Sequence, residues 1–264
     1  MLASMAPKAT PMHDRPSLRQ RLRESATKPL HGFFFPLSAP ALVEMIGHAG
    51  FDFVILDMEH GPAGYDMLEH LMRAATASGL ETIVRVPNGE PWEILRALDA
   101  GAGGIMVPHV TSGAMAREIA ASCRFPPAGR RGVATLSRAA RYGIGDRKEY
   151  LTGIGDRIAV LPMIEDREAL PEAAAIAAVP GVDAVFVGPN DLAASLGHLG
   201  EPGHPEVREA MRDVALRARA TSTPLASTAS SPTEARERIA DGYPILCYHI
   251  VPVITGGLKA LREG

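Results

Sequence analysis

Three apolar runs in this chain stop on residues that can carry charge or move protons. They are Phe51-Asp52-Phe53-Val54-Ile55-Leu56-Asp57-Met58-Glu59-His60-Gly61, Leu161-Pro162-Met163-Ile164-Glu165, and Val185-Phe186-Val187-Gly188-Pro189-Asn190-Asp191. Two carboxylates held side by side repel unless a proton or a cation lies between them. A hard divalent cation that keeps several of its waters is satisfied by two such oxygen ligands. Glu165 and Asp191 are therefore candidate metal ligands. Asp191 has a plainer use as well, since it precedes Leu192-Ala193-Ala194-Ser195 and Asp commonly caps a helix N-terminus.

Histidine is the side chain suited to moving protons near neutral pH, so His60 is a candidate acid or base, although a lone histidine also serves structural roles. A base needs an orienting carboxylate. Asp57 and Glu59 are local candidates. Asp99, just before Gly101, is a third, because an acid at a helix C-terminus opposes the macrodipole and is either solvated or paired. Arg85 interrupts the run Val84-Arg85-Val86-Pro87. A charge there must find a partner or reach an edge, and its planar fork suits a carboxylate.

These residues need elements that bring them together. Continuous apolar runs predict eight strands, at 32–37, 52–58, 81–86, 103–108, 157–164, 182–187, 223–227 and 244–250. Short unbroken apolar runs are what parallel strands buried on both faces look like. Ala-rich stretches predict helices at Ala39–His48, Met67–Ser78, Pro91–Ala100, Ala114–Ser122, Ala169–Ala178, Glu206–Ala220 and Pro232–Ala240, several closed by a glycine. Alternating strands and helices in this number imply an α/β fold, the (β/α)8 TIM barrel, whose chemistry sits at the C-terminal ends of the strands. Residues 1–16 read as a disordered leader, and 17–264 as one barrel domain. The stretch 124–156, rich in Gly and Arg, reads as a long loop that is a functional lid, an interface element or disordered, and that with neighbouring subunits would form the aldehyde pocket.

Bulk properties exclude several classes. The chain has 264 residues, 46% of them hydrophobic, with a formal net charge of −3, enough for one large core. The mixed charges give no expectation of nucleic acid or an anionic membrane as partner. No apolar run approaches the roughly 20 residues of a membrane-spanning helix. No signal peptide is expected, and Cys123 and Cys247 read as reduced thiols of a cytoplasmic protein. Lys8, Lys28, Lys148 and Lys259 are the only lysines. None falls at a strand end, so a Schiff-base mechanism has no nucleophile and a carbonyl would have to be activated by a metal. There is no phosphate-binding loop, no Gly-x-Ser-x-Gly elbow and no cysteine spacing for zinc.

Several segments together resemble the HpcH/HpaI aldolase family of metal-dependent pyruvate aldolases. They are Phe51–Gly61, Arg85-Val86-Pro87, Leu98-Asp99-Ala100-Gly101-Ala102, Phe125-Pro126-Pro127-Ala128-Gly129-Arg130-Arg131-Gly132 and Gly188-Pro189-Asn190-Asp191-Leu192. The resemblance runs from about Leu30 to Leu196 and is weak after about Thr221. It implies the same barrel, a homo-oligomer (trimer or hexamer) that exchanges a C-terminal helix, and a divalent metal, Mg²⁺, Mn²⁺ or Co²⁺, on Glu165 and Asp191. It implies that Arg85 meets the keto oxygen, that His60 paired with Asp99 handles protons, and that the backbone around Gly188, Pro189, Asn190 and Asp191 binds the pyruvate carboxylate. The reaction implied is reversible cleavage of a 4-hydroxy-2-oxo acid to pyruvate and an aldehyde. The chain departs from the family at Met163, where a Gln is frequent, at Asn190, and in Ile245–Ile250. A CoA-thioester lyase of the citramalyl or malyl type and a lapsed, binding-only barrel are the alternatives.

Overall fold

The computed structural model describes residues 16–263. The leader expected over 1–16 lies, Pro16 apart, outside them. Eight parallel strands follow one another around a closed barrel: β1 (Leu30–Phe35), β2 (Phe53–Asp57), β3 (Glu81–Arg85), β4 (Gly104–Val107), β5 (Ala159–Ile164), β6 (Val185–Val187), β7 (Leu225–Thr228) and β8 (Ile245–His249). Leu30 of β1 sits opposite Ile245 of β8, so the sheet has no free edge. Each expected strand is present, with ends within three residues of the expected ones.

Alternation along each strand divides the apolar residues in two. Phe53, Ile55, Ile83, Met106, Leu161, Met163, Phe186 and Ile245 fill the barrel interior. Val54, Leu56, Val84, Ile105, Val160, Ile164 and Val185 pack beneath the surrounding helices. Burying each such side chain stabilises the fold by roughly 1.5–3 kcal/mol, so neither face of these strands can turn to water cheaply. The same alternation carries Asp57, Arg85 and Glu165 inward, as a polar layer above the apolar one. The opposite mouth is plugged. Helix α1 (Leu18–Arg23) places Leu18 and Leu22 in the interior cluster, while Arg19 and Arg23 reach the buried Asp183 that precedes β6.

The outer layer is α2 (Pro40–His48), α3 (Tyr65–Ala77), α4 (Pro91–Ala100), α5 (Gly113–Ser122), α6 (Arg147–Gly153), α7 (Ala173–Ala177), α8 (Pro189–Leu196), α9 (Pro205–Ala218), α10 (Pro232–Ala240) and α11 (Ile250–Glu263). Two expectations are corrected. The helix expected over Ala169–Ala178 is split into a 3-10 turn, Arg167–Ala169, and the short α7. Pro171 lies between them, and its ring and missing N–H interrupt the ladder. Arg124–Asp156 is also not a lid over its own chain's site. It joins α5 to β5, so it runs at the plugged face. Arg131 there bonds Asp99 at 2.8 Å and Arg138 donates to the Ala100 carbonyl at 2.8 Å, tying the segment to the end of α4. That helix closes on Gly101, at φ +103°, a conformation strained for residues with a Cβ. Among the described residues no helix is long and apolar enough to cross a membrane.

Candidate active site

Arg85 and Asp57 are register partners on β3 and β2. Arg85 is 7% exposed and Asp57 5%. Arg85 Nε donates to Asp57 Oδ1 at 2.9 Å and Nη2 to Oδ2 at 2.7 Å, the two-pronged arrangement that its planar group favours. Nη1 lies 2.9 Å from Glu59 Oε2. The fork occupies two of the five N–H donors; the Glu59 contact is an ion pair, its Oε2 accepting no hydrogen bond. Burial opposes the charge on Asp57, but the Arg85 bonds prevail and hold its carboxyl below the usual range. Asp57 Oδ1 also accepts from the amides of Glu59 and His60, which shapes the turn after β2.

Glu165 follows β5 and is 1% exposed. Its Oε1 accepts from the His109 amide at 3.0 Å, whereas Oε2 is buried and has no hydrogen-bond partner. Such an atom is expensive unless something meets it. Gly188 makes the room: a Cβ there would stand 2.6 Å from Oε2. Asp191 lies in the first turn of α8, directly beyond Gly188 and Pro189. Burial pushes the Glu165 carboxyl up to about 7, against the His109 amide and ring, and the charges of Asp191 and Glu59 add to the rise. The Glu165 and Asp191 carboxylates thus feel one another across adjacent strand ends.

His60 is exposed at the end of β2, its ring without a hydrogen-bond partner among the described residues. The structure does not bring Asp99 to it. Asp99 ends α4 at the plugged face, bonded to Arg131, because a helix following a strand runs back antiparallel to it. Within one chain the His60–Asp99 pairing is therefore corrected.

Two histidines escaped the reading of the sequence. His109 follows β4 at φ +53°, its Nδ1 3.1 Å from Asp166 and 3.7 Å from Glu165 Oε1, and its Nε2 3.9 Å from Glu59. His249 ends β8 and stacks on Phe34, ring centroids 5.3 Å apart. Arg85 Cζ lies 4.9 Å over that same ring. Strand parity was the available signal for His249, two residues beyond the inward Cys247. Nothing local marks His109.

Residues 30–246 match the family model described as HpcH/HpaI aldolase/citrate lyase. The chain is 43% identical over 200 residues to the hydroxypyruvate/pyruvate aldolase of Paraburkholderia phytofirmans, covering 74% of this chain and 75% of that one. It is 38% identical over 221 residues to the 2-dehydro-3,6-dideoxy-6-sulfogluconate aldolase of Pseudomonas putida, covering 84% and 85%. Among solved structures it resembles an HpcH/HpaI aldolase/citrate lyase family protein from Burkholderia cenocepacia, with TM-score 0.87, 38% identity, and 93% and 98% of the two chains covered.

Proposed function

The chain belongs to the HpcH/HpaI aldolase/citrate lyase family and is a carbon–carbon lyase, and from that premise we propose that it is a metal-dependent aldolase cleaving a 4-hydroxy-2-oxo acid to pyruvate and an aldehyde. The observation that carries this reading is the buried, unpartnered Glu165 Oε2 facing the space that Gly188 leaves open. Its fit to a hard cation is good: an oxygen donor, partly ionised near neutral pH, with a second carboxylate, Asp191, one strand away. Glu165 and Asp191 would hold the ion, Mg²⁺, Mn²⁺ or Co²⁺. When bound, it supplies Lewis-acid polarisation of the keto oxygen.

The chain's own residues do the rest. The first-turn amides of α8, at Asn190 and Asp191 beyond Gly188 and Pro189, have no partners within the helix and suit the carboxylate of the keto acid. Arg85, held rigid by Asp57, points its spare N–H groups at the C2 oxygen. His60 takes the proton of the C4 hydroxyl. As the C3–C4 bond breaks, its electron pair moves onto the C2 oxygen, the aldehyde departs, and Arg85 stabilises the enolate without having to reorganise. Protonation of C3 gives pyruvate. The apolar stripe of α11, with Val253, Leu258 and Leu261 exposed, supports a homo-oligomer, trimer or hexamer. Two unpaired, buried cysteines support a cytoplasmic location.

The test is exchange of the pyruvate methyl protons in D₂O, followed by NMR. EDTA should abolish it and Mn²⁺ restore it, whereas exchange indifferent to both overturns the metal. His60→Ala should lower the aldol rate by about 10²–10⁴-fold, the usual contribution of a positioned base, while metal affinity persists. Loss of the metal in that variant would mean His60 is a ligand. Gly188→Ala is backbone-compatible at φ −89°, so the protein should fold, but the added Cβ must displace Glu165. Metal affinity should fall about 10–100-fold by calorimetry, as when a ligand's support is disturbed. Unaltered affinity would remove Glu165 from the site.

A further inference from the structure

The turn between α8 and α9 gathers three side chains that the barrel chemistry does not use. His198, His204 and Glu206 each present a ring nitrogen or a carboxylate oxygen, and these atoms lie within 4.8 Å of one another. His198 Nε2 is 2.7 Å from Glu206 Oε2. The two imidazoles face each other, with ring centroids 3.5 Å apart and planes 17° from parallel.

The backbone fixes this spacing. Helix α8 closes on Gly197 at φ +92°, and the His198 amide donates back to the Ala193 carbonyl at 2.7 Å. The Glu201 amide donates to the His198 carbonyl at 3.0 Å, and the His204 amide to the Glu201 carbonyl at 2.9 Å. His204 then caps α9, its Nδ1 accepting from the Glu206 amide at 3.3 Å. Three donors are thus preset on one hydrogen-bonded turn, so little freedom is lost when a ligand fixes them.

Two imidazolium rings in such contact would repel, so at least one ring is neutral and has a lone pair to give. The His198 bond holds the Glu206 carboxyl below its usual range, which leaves it anionic. Two imidazoles with one carboxylate suit a borderline transition ion such as Zn²⁺, Co²⁺ or Ni²⁺, whereas Mg²⁺ takes oxygen ligands. Donors around one such ion stand about 3–4 Å apart. Stacked rings do not aim both lone pairs at one point, but the torsion that turns an imidazole is soft and lets His204 rotate into place.

We propose that His198, His204 and Glu206 form a second metal site, which takes Zn²⁺ or a similar transition ion in preference to Mg²⁺ and clips the end of α8 to the first turn of α9. It is separate from Glu165 and Asp191, which offer oxygens only, and it does not depend on the aldolase reading.

Calorimetric titration of Zn²⁺ into the Glu165→Gln protein, with excess Mg²⁺ throughout, tests it. Zn²⁺ should bind, and His198→Gln should weaken that binding at least about tenfold, about 1.4 kcal/mol of lost ligation. His204→Asn should do the same while keeping a good cap on α9, so the helix start is preserved. In the otherwise unmodified, Mg²⁺-saturated protein, paramagnetic Co²⁺ should broaden the imidazole NMR signals of His198 and His204, a readout independent of the Glu165 variant. The site is overturned by imidazole signals that Co²⁺ leaves untouched. It is equally overturned by Zn²⁺ binding that both histidine substitutions leave unchanged, or that excess Mg²⁺ suppresses.

Discussion

Glu165→Gln is expected to abolish divalent-metal binding and turnover together, with kcat/KM falling at least about 10³-fold. An ion acting as a Lewis acid contributes several kcal/mol at the transition state, and each 1.4 kcal/mol is a factor of ten. The amide retains the size of the acid and one acceptor oxygen, so loss of the charge is isolated from loss of volume. Calorimetric titration with Mn²⁺ and the methyl exchange rate measure the two effects. A variant that still binds metal tightly, or turns over with none, refutes the assignment.

The same substitution has a second readout in the metal-free protein. Burial, opposed by the His109 amide and ring and aided by the Asp191 and Glu59 charges, lifts the Glu165 carboxyl from an ordinary 4.5 to about 7. An acid whose pKa is raised by folding binds more protons in the native state than in the unfolded one. Its contribution to stability is therefore present below about 4.5 and is lost as pH rises towards about 7. The Tm of the stripped protein should decline through that window, and Glu165→Gln should flatten the decline. Saturating metal should restore Tm to the unmodified protein only, since it binds the native state through the carboxylate.

Arg85→Gln should also cost about 10³-fold in kcat/KM, the scale of losing a preorganised donor at a developing oxyanion, and here the loss comes with a fall in stability. Removing Arg85 strands Asp57, 5% exposed and bonded through both oxygens to the guanidinium. Breaking a buried pair from one side typically costs about 3–5 kcal/mol. Adding Asp57→Asn removes the stranded charge, so the double variant should recover most of the stability and none of the activity. Denaturant unfolding against steady-state kinetics separates the two. Recovered activity in the double variant would show that Arg85 acts only as Asp57's partner. An unimpaired single variant would show that it does not touch the oxyanion.

The parts legible in the sequence share one property: their physics is local or periodic. The strands were readable because each is a short apolar run that must be covered on both sides. Glu165 and Arg85 stood out because a charge inside such a run has few places to go. Asp57 was noticed, but as a neighbour of His60. Its fork on Arg85 depends on the register of β2 against β3, which no single strand specifies. Within one chain Asp99 lies away from His60 for a related reason. Proximity to a motif says nothing about which end of the barrel a residue occupies, and an antiparallel return helix carries it to the far one.

His109 and His249 come from different strand ends, and their sequence surroundings give no sign that they converge near Arg85 and Glu165. His198, His204 and Glu206 are close in sequence, but it is the turn between two helices that stacks the rings beside the carboxylate. Composition and periodicity alone were enough for a closed α/β barrel with acids and an arginine at its strand ends, because burying apolar area leaves so few arrangements. Which donors meet at the barrel mouth, and which oxygen is left without one, were decided only when the sheet closed. Closure sets the distances between residues far apart in the chain, and hydrogen bonds and ion pairs are felt only over such distances.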